Sequence, residues 1–319
     1  MRILLYFLPK LIFAAITMLG VSALVFLALR MIPGGYADVL LGPFVTPEAR
    51  EAIAVRYGLD QPLLVQYLNW LGALFQGDLG VSMVTRAPVL DEFLRRAPVT
   101  LELALLALVF ALAGGLPLGI LAGIAPPGHR GGILARLVGA LGASVPDFVL
   151  GSLLIFVFSV WSLWLRVGGY VSPIEDPVGN LRTMLLPALT LSLFGIALVL
   201  RTTRDAVLRV MTEGYITTAL ARGERPFDII RLHVLRNSAI PIVTVVTTYF
   251  GFLLGGAVVV EVLFSIPGIG FFIFSGLENR DYAIVQAGVL IAAAVFVSIN
   301  MLADLAYALI DPRVGSGRH

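Results

Sequence analysis

The sequence has no cysteine, a single lysine, and only 13% charged residues in a chain of 319. Without cysteine there can be no disulfide, thiolate metal site or cysteine nucleophile. A P-loop needs a lysine reaching nucleotide phosphates from a glycine-rich loop, and the one lysine, Lys10, sits in Leu8-Pro9-Lys10-Leu11 instead. The chain therefore does not hydrolyse ATP by that route, and any use of ATP requires a partner to supply the site. An ordinary soluble domain carries roughly 25% charged residues, so there are too few charges here to coat a surface facing water. Three histidines, His129, His233 and His319, have no metal-ligand spacing, and no serine or aspartate pair with a supporting base is visible. A net charge of +2 and a pI near 9.0 do not point to nucleic acid. There is no internal repeat and no low-complexity linker.

What is abundant is apolar: 59% of residues are hydrophobic and the mean hydropathy is +0.96. A membrane-spanning helix needs about 20 mostly apolar residues to cross ~30 Å of hydrocarbon. Six segments meet that need, at about 9–30, 100–124, 133–160, 184–202, 240–263 and 284–309. The first is too long for a signal-peptide core and lacks a cleavage site after it, so it reads as a retained span. The expectation is an all-α polytopic membrane protein, residues 1–319 forming one transmembrane domain. Arginines set its orientation. With the N-terminus inside, Arg2, Arg130, Arg204, Arg209, Arg222, Arg225, Arg231, Arg236, Arg313 and Arg318 are cytoplasmic, whereas Arg166, Arg182 and Arg280 outside are offset by Glu175, Asp176, Glu278 and Asp281. Both termini are thus expected in the cytoplasm. Trp161, Trp164 and Tyr170 mark the outer interface after the third span.

Two long segments lie between spans. The extracytoplasmic segment 31–98 opens with Pro33-Gly34-Gly35 and then starts a helix at Thr46-Pro47-Glu48, with Thr46 as N-cap. Tyr57-Gly58-Leu59-Asp60-Gln61-Pro62 breaks it, and an amphipathic helix follows from Leu63 to Phe75. The cytoplasmic segment 203–239 reads as two short helices broken at Gly223, with Pro226 and Asp228 in the first turn of the second. Ala219, Ala221 and Gly223 lack bulk and would let another protein approach, while Tyr215 and Phe227 could fill its groove. The residues alone favour a plain surface hairpin whose arginines only keep it inside.

The run Tyr215, Thr218, Ala219, Ala221, Arg222, Gly223, His233, Leu235, Arg236, Asn237 and Pro241 resembles the cytoplasmic signature loop of ABC importer permeases of the dipeptide, oligopeptide and nickel type. It departs at Thr217 and Leu220, usually arginine, and at Glu224, usually apolar. Gly255-Gly256 through Glu261 to Pro267-Gly268-Ile269-Gly270, then Arg280-Asp281-Tyr282, Val285-Gln286 and Asn300, Asp304, Asp311-Pro312-Arg313 also follow the family pattern. Pro33-Gly34, Tyr57 to Pro62 and Gly77-Asp78-Leu79-Gly80 match near the N-terminus, and Ala283 replaces a common proline.

That resemblance implies a non-catalytic permease subunit in a cell inner membrane, with six spans and a coupling-helix loop between the fourth and fifth. It implies as partners a second homologous permease, two ABC ATPase subunits that bind ATP and Mg, and an extracytoplasmic solute-binding protein, in addition to membrane lipid. Tyr215, Thr218, Ala219, Ala221, Arg222, Gly223 and Phe227 are the expected ATPase-coupling residues. Asp147, after Pro146 at an expected kink, and Gly251, Gly255 and Glu261 are expected along the translocation path. Glu102 and Asp304 are further acids in or near spans, and Glu261 could equally cap a helix at the outer boundary. Peptides are the expected cargo. Nickel, an opine-like or glutathione-like solute, or a secondary transporter or channel are the alternatives; an intramembrane enzyme would need catalytic residues not found here.

Overall fold

The structure is a computed structural model that describes residues 2–31, 46–56, 58–125, 129–161 and 164–310. Pro33-Gly34-Gly35, Tyr57 and the tail with Asp311-Pro312-Arg313, Arg318 and His319 fall outside the described residues, as does the side chain of Asp304. Among the described residues the regular structure is helical, apart from one isolated antiparallel bridge between Val81 and Pro88. The chain divides into two compact units, Met1–Val99 with Gly268–Val297, and Thr100–Pro267 with Ser298–His319.

The first unit contains α1 (Arg2–Arg30), α2 (Pro47–Arg56), α3 (Leu63–Phe75), the start of α4 (Val89–Ile124), α12 (Ile269–Glu278) and most of α13 (Tyr282–Ile310). At the start of α2 the Thr46 hydroxyl accepts the Ala49 N–H at 3.3 Å. Aromatic rings join α3 to α1, with Phe26 against Tyr67 and Trp70, and the Tyr67 hydroxyl meets Ser22 Oγ at 2.7 Å. A second contact set is polar. The fully buried Asp281 carboxylate accepts from the Ser82 hydroxyl at 2.6 Å and from the Val84 and Ile284 N–H groups, each at 3.3 Å. Arg280-Asp281-Tyr282 therefore begins α13 and ties the 78–88 loop to it in one step. Val89, Phe93, Phe272, Ile284 and Ala287 form the apolar cluster beside this clamp.

The second unit is built on α7 (Pro177–Met211), the most deeply buried of the membrane-length helices. Asp176 caps it by accepting the Gly179 N–H at 2.9 Å, with Pro177 in its first turn. Around it lie the rest of α4, α5 (Arg130–Ser144), α6 (Asp147–Val160) and α10 (Leu235–Gly256). Gly115, Gly119 and Gly123 present a smooth stripe on α4, and Val199, Thr203 and Val207 on α7 lie against it with the same four-residue period. A Cβ at Gly119 would fall 2.6 Å from Thr203 Cβ and 2.8 Å from the Leu200 carbonyl oxygen. Small residues at this spacing let two backbones approach closely in lipid. Packing also pairs α7 with α10: the Tyr249 hydroxyl donates to the Leu191 carbonyl at 2.9 Å.

Leu8–Arg30, Val89–Ile124, Pro177–Met211, Pro226–Gly255 and Tyr282–Leu302 are each long and apolar enough to cross a membrane. Four expected spans have different bounds in the structure. The second and fourth run on to 36 and 35 residues, well past the ~20 that a bilayer needs. The third, read from the sequence as one segment over 133–160, is the pair α5 and α6 bent by 101°. Pro146 has no N–H to give and pushes Val145 into an extended conformation. The fifth ends at Gly256, and after Ala257 the short α11 (Val258–Leu263) completes the expected stretch.

Candidate functional site

The segment that joins α7 to α10 folds as a hairpin. From Met211 the chain turns through Thr212 and Glu213 into α8 (Gly214–Ala221), reverses at Gly223, and returns through α9 (Pro226–Asp228) and a π-helical turn, Ile229–Val234, directly into α10. The reversal has the backbone pattern that glycine makes possible at a helix end. The Gly223 N–H bonds to the Leu220 carbonyl at 3.0 Å and the Glu224 N–H to the Ala219 carbonyl at 3.2 Å, with Gly223 at φ +76°. These are the two bonds of a Schellman motif. The break expected at Gly223 is in place, and so is Pro226 at the head of the second arm.

The hairpin has a core of its own. Ile216, Ala219, Ile229 and Val234 are buried with Val207 and Val210 of α7, and Ile120 and Ile124 of α4 pack against them. The reversal is also tied to the return arm by a side-chain contact, Glu224 Oε2 lying 3.0 Å from His233 Nε2, and within the return arm Asn237 Nδ2 donates to the His233 carbonyl at 2.7 Å. His233 thus makes a structural contact within the hairpin. Its partner is the glutamate that departs from the family pattern. The return arm contains a π turn, a geometry that concentrates at functional sites.

The seven sequence-derived coupling residues separate into two groups. Ala219 is turned inward and is 4% exposed, so its small size serves the hairpin's own packing. Tyr215, Thr218, Ala221, Arg222, Gly223 and Phe227 are all exposed, Phe227 at 69%. Slight desolvation and then the neighbouring Glu213 carboxylate raise the Tyr215 phenol above its ordinary range. Leu220, named above only as a departure from the family pattern, and Leu232 add exposed apolar surface. An apolar step with an arginine at its edge, held on a hairpin with its own core, can enter a groove on another protein.

The four residues expected along the path have unlike surroundings. Asp147 is the first residue of α6, half-buried at the 101° bend. Gly251 is buried in α10, whereas Gly255 is exposed with open space where a Cβ would stand. Glu261 is fully buried in the first turn of α11 and its Oε1 accepts the Thr100 hydroxyl at 2.7 Å. Glu102 likewise has a partner, the Tyr170 hydroxyl, which donates to Oε2 at 2.9 Å. One polar feature was not anticipated: a cleft of about 320 Å³ between α7 and α10, lined by Thr202, Asp205, Arg209, Asn237 and Pro241. Asp205 and Arg209 stand one helical turn apart at the end of a span, a spacing the sequence already displayed.

Comparison with known proteins bears on what such a hairpin serves. Residues 115–316 match the family described as binding-protein-dependent transport system inner membrane component, and residues 3–104 match the N-terminal part of such components. A probable peptide ABC transporter permease protein, y4tP of Sinorhizobium fredii, is 37% identical over 309 residues, covering 97% of this chain and 98% of that protein. The dipeptide transport system permease protein DppB of Escherichia coli strain K12 is also 37% identical, covering 93% of this chain and 95% of that one. In fold, a chain of the inward-facing MetNI methionine ABC transporter (CY5 native crystal form) superposes with a TM-score of 0.56 at 18% identity, over 70% of this chain and 97% of its own length.

Proposed function

The chain belongs to the family of binding-protein-dependent transport system inner membrane components, and from that premise we propose that it is the permease through which an ATP-driven importer moves peptides. It lines the translocation path together with a second, homologous permease. Two separate ATPase subunits bind ATP and Mg, and an extracytoplasmic solute-binding protein delivers the cargo. The chain itself performs no chemistry. It sits in the inner membrane with both termini in the cytoplasm, the orientation that its arginine distribution favours. Peptides are the cargo named for relatives that align over almost the whole chain.

One observation carries the coupling role: the exposed Tyr215 and Phe227 sit on a hairpin whose core is shared with α4 and α7 and whose return arm is continuous with α10. A push on its outer face is therefore passed to span helices rather than absorbed by a loose loop. The test separates the two sides of the hairpin. With Tyr215→Asp and Phe227→Asp together, the ATPase subunits should no longer co-purify with the permease, a loss of at least tenfold, while the permease melts as before. Ala219→Arg should instead lower the melting temperature of the permease itself. Retained ATPase association in the double variant would overturn this assignment of the coupling surface.

A further inference from the structure

Helix α3 is built inside out. Its thirteen residues, Leu63–Phe75, include no charged side chain. Leu63, Leu64, Val65, Leu68 and Phe75 are exposed, Phe75 at 83%, while Gln66 is buried and donates through Nε2 to the Leu59 and Gln61 carbonyls at 3.1 and 2.7 Å. A water-facing amphipathic helix would show the reverse arrangement.

Its position explains the inversion. Tyr67 and Trp70 pack on Ser22 and Phe26 of α1, and the C-terminal end of α3 reaches further along the span. There Leu74 and Phe75, with Met18 and Leu19 of α1 and Leu290 and Ile291 of α13, line a cleft of about 420 Å³. Leu19 lies eleven residues before Arg30, where the span ends; at ~1.5 Å per residue that is ~16 Å along the helix, near the middle of a ~30 Å hydrocarbon layer. The only polar side chain lining the cleft is Ser22, and its hydroxyl is engaged with the Leu19 carbonyl at 2.8 Å and with Tyr67.

We propose that α3 is embedded in the outer leaflet beside α1, and that the cleft between α1, α3 and α13 seats a phospholipid acyl chain. Composition separates lipid from protein as the occupant. Helix–helix contacts in membranes favour small residues, as in the Gly115–Gly119–Gly123 stripe. The exposed side of α3 has leucine, valine and phenylalanine instead. Ile12, Phe13 and Ile16 on the span helix α1 are exposed as well, so the apolar exposure is not confined to α3. The segment after the first span is thus partly a membrane element and only partly a platform for a binding protein.

The reporter is Phe75→Trp in a chain where Trp70, Trp161 and Trp164, its three tryptophans, are replaced by phenylalanine. The assembled complex is reconstituted in phosphatidylethanolamine–phosphatidylglycerol vesicles, with and without bromine on the acyl chains. Bromination should quench the reporter at least twofold, and aqueous iodide should leave it unchanged. Ala294→Phe, which fills the cleft, should relieve much of the bromine quenching. Quenching by iodide would place α3 in water and overturn the proposal. So would bromine quenching that is present in the permease alone but lost when the second permease joins, which would make the occupant a protein helix. Quenching unaffected by Ala294→Phe would overturn the seat. If the Phe75 variant does not accumulate, Leu68→Trp on the same exposed side gives the same readout. None of these measurements requires transport, so they stand or fall separately from the peptide importer reading.

Discussion

Single side chains in this protein act through what surrounds them, and Glu261 is the clearest case. It is fully buried and accepts from Thr100; removing a charged hydrogen-bond partner from an interior site costs on the order of 1–3 kcal/mol. Glu261→Ala should therefore lower the melting temperature of the purified complex without changing its cargo preference. A shifted cargo preference at unchanged stability would instead support the expected place of Glu261 along the path. Tyr170 gives a pH test outside the spans. Burial first, and then the Glu102 carboxylate it bonds, push its phenol from 10.0 up to about 12. The fold favours the neutral phenol, so this contribution to stability is complete below pH 10 and drains away between pH 10 and about 12. Comparing melts at pH 9 and pH 11 should show a smaller alkaline loss in Tyr170→Phe than in the unaltered protein; equal losses would mean that the contact does not form.

At the scale of elements, close approach and chain reversal depend on what glycine allows. The α4–α7 contact leaves no room for a side chain at Gly119, and overpacking a tight interface costs about 1–3 kcal/mol. Gly119→Leu should sharply reduce folded permease recovered from membranes. Gly20→Leu, where no atom lies within 4 Å of the new Cβ, should not, which makes the pair an internal control. At Gly223 the left-handed backbone matters rather than space, since nothing crowds it. Gly223→Ala should cost about 1–2 kcal/mol, visible as faster proteolysis of the hairpin with the spans intact. The α5–α6 bend follows from Pro146, but its angle of 101° depends on how each arm packs on α7.

For the whole molecule, the missing nucleotide lysine and the hairpin meet in one prediction. The purified chain alone should hydrolyse no ATP, and with its partners, uptake into vesicles should stop when ATP is withheld. Uptake that persists without ATP would point to a secondary transporter. Charge placement supports this division of labour. The segment 203–239 retains arginines around an exposed apolar step, whereas α3, just beyond the first span, has no charged residue.

Much of this was legible in order along the chain. Hydropathy and length locate the spans because the bilayer sets a minimum apolar run, and the Gly223 break and the Pro226 start follow from backbone chemistry that acts within a few residues. What the linear order could not supply is which way a side chain faces. Ala219 looked like room for a partner and is packing for the hairpin; Glu224 looked like a departure and is the bonding partner of His233. The glycine stripe could be counted, but its partners on α7 are some 80 residues away. The inverted faces of α3 illustrate the limit: its apolar residues are plain in the sequence, but only the folded arrangement decides which of them are exposed and that Gln66 is buried with its amide on the Leu59 and Gln61 carbonyls. Local propensity and total apolarity are properties of the chain, while burial is a relation between elements that only the folded arrangement defines.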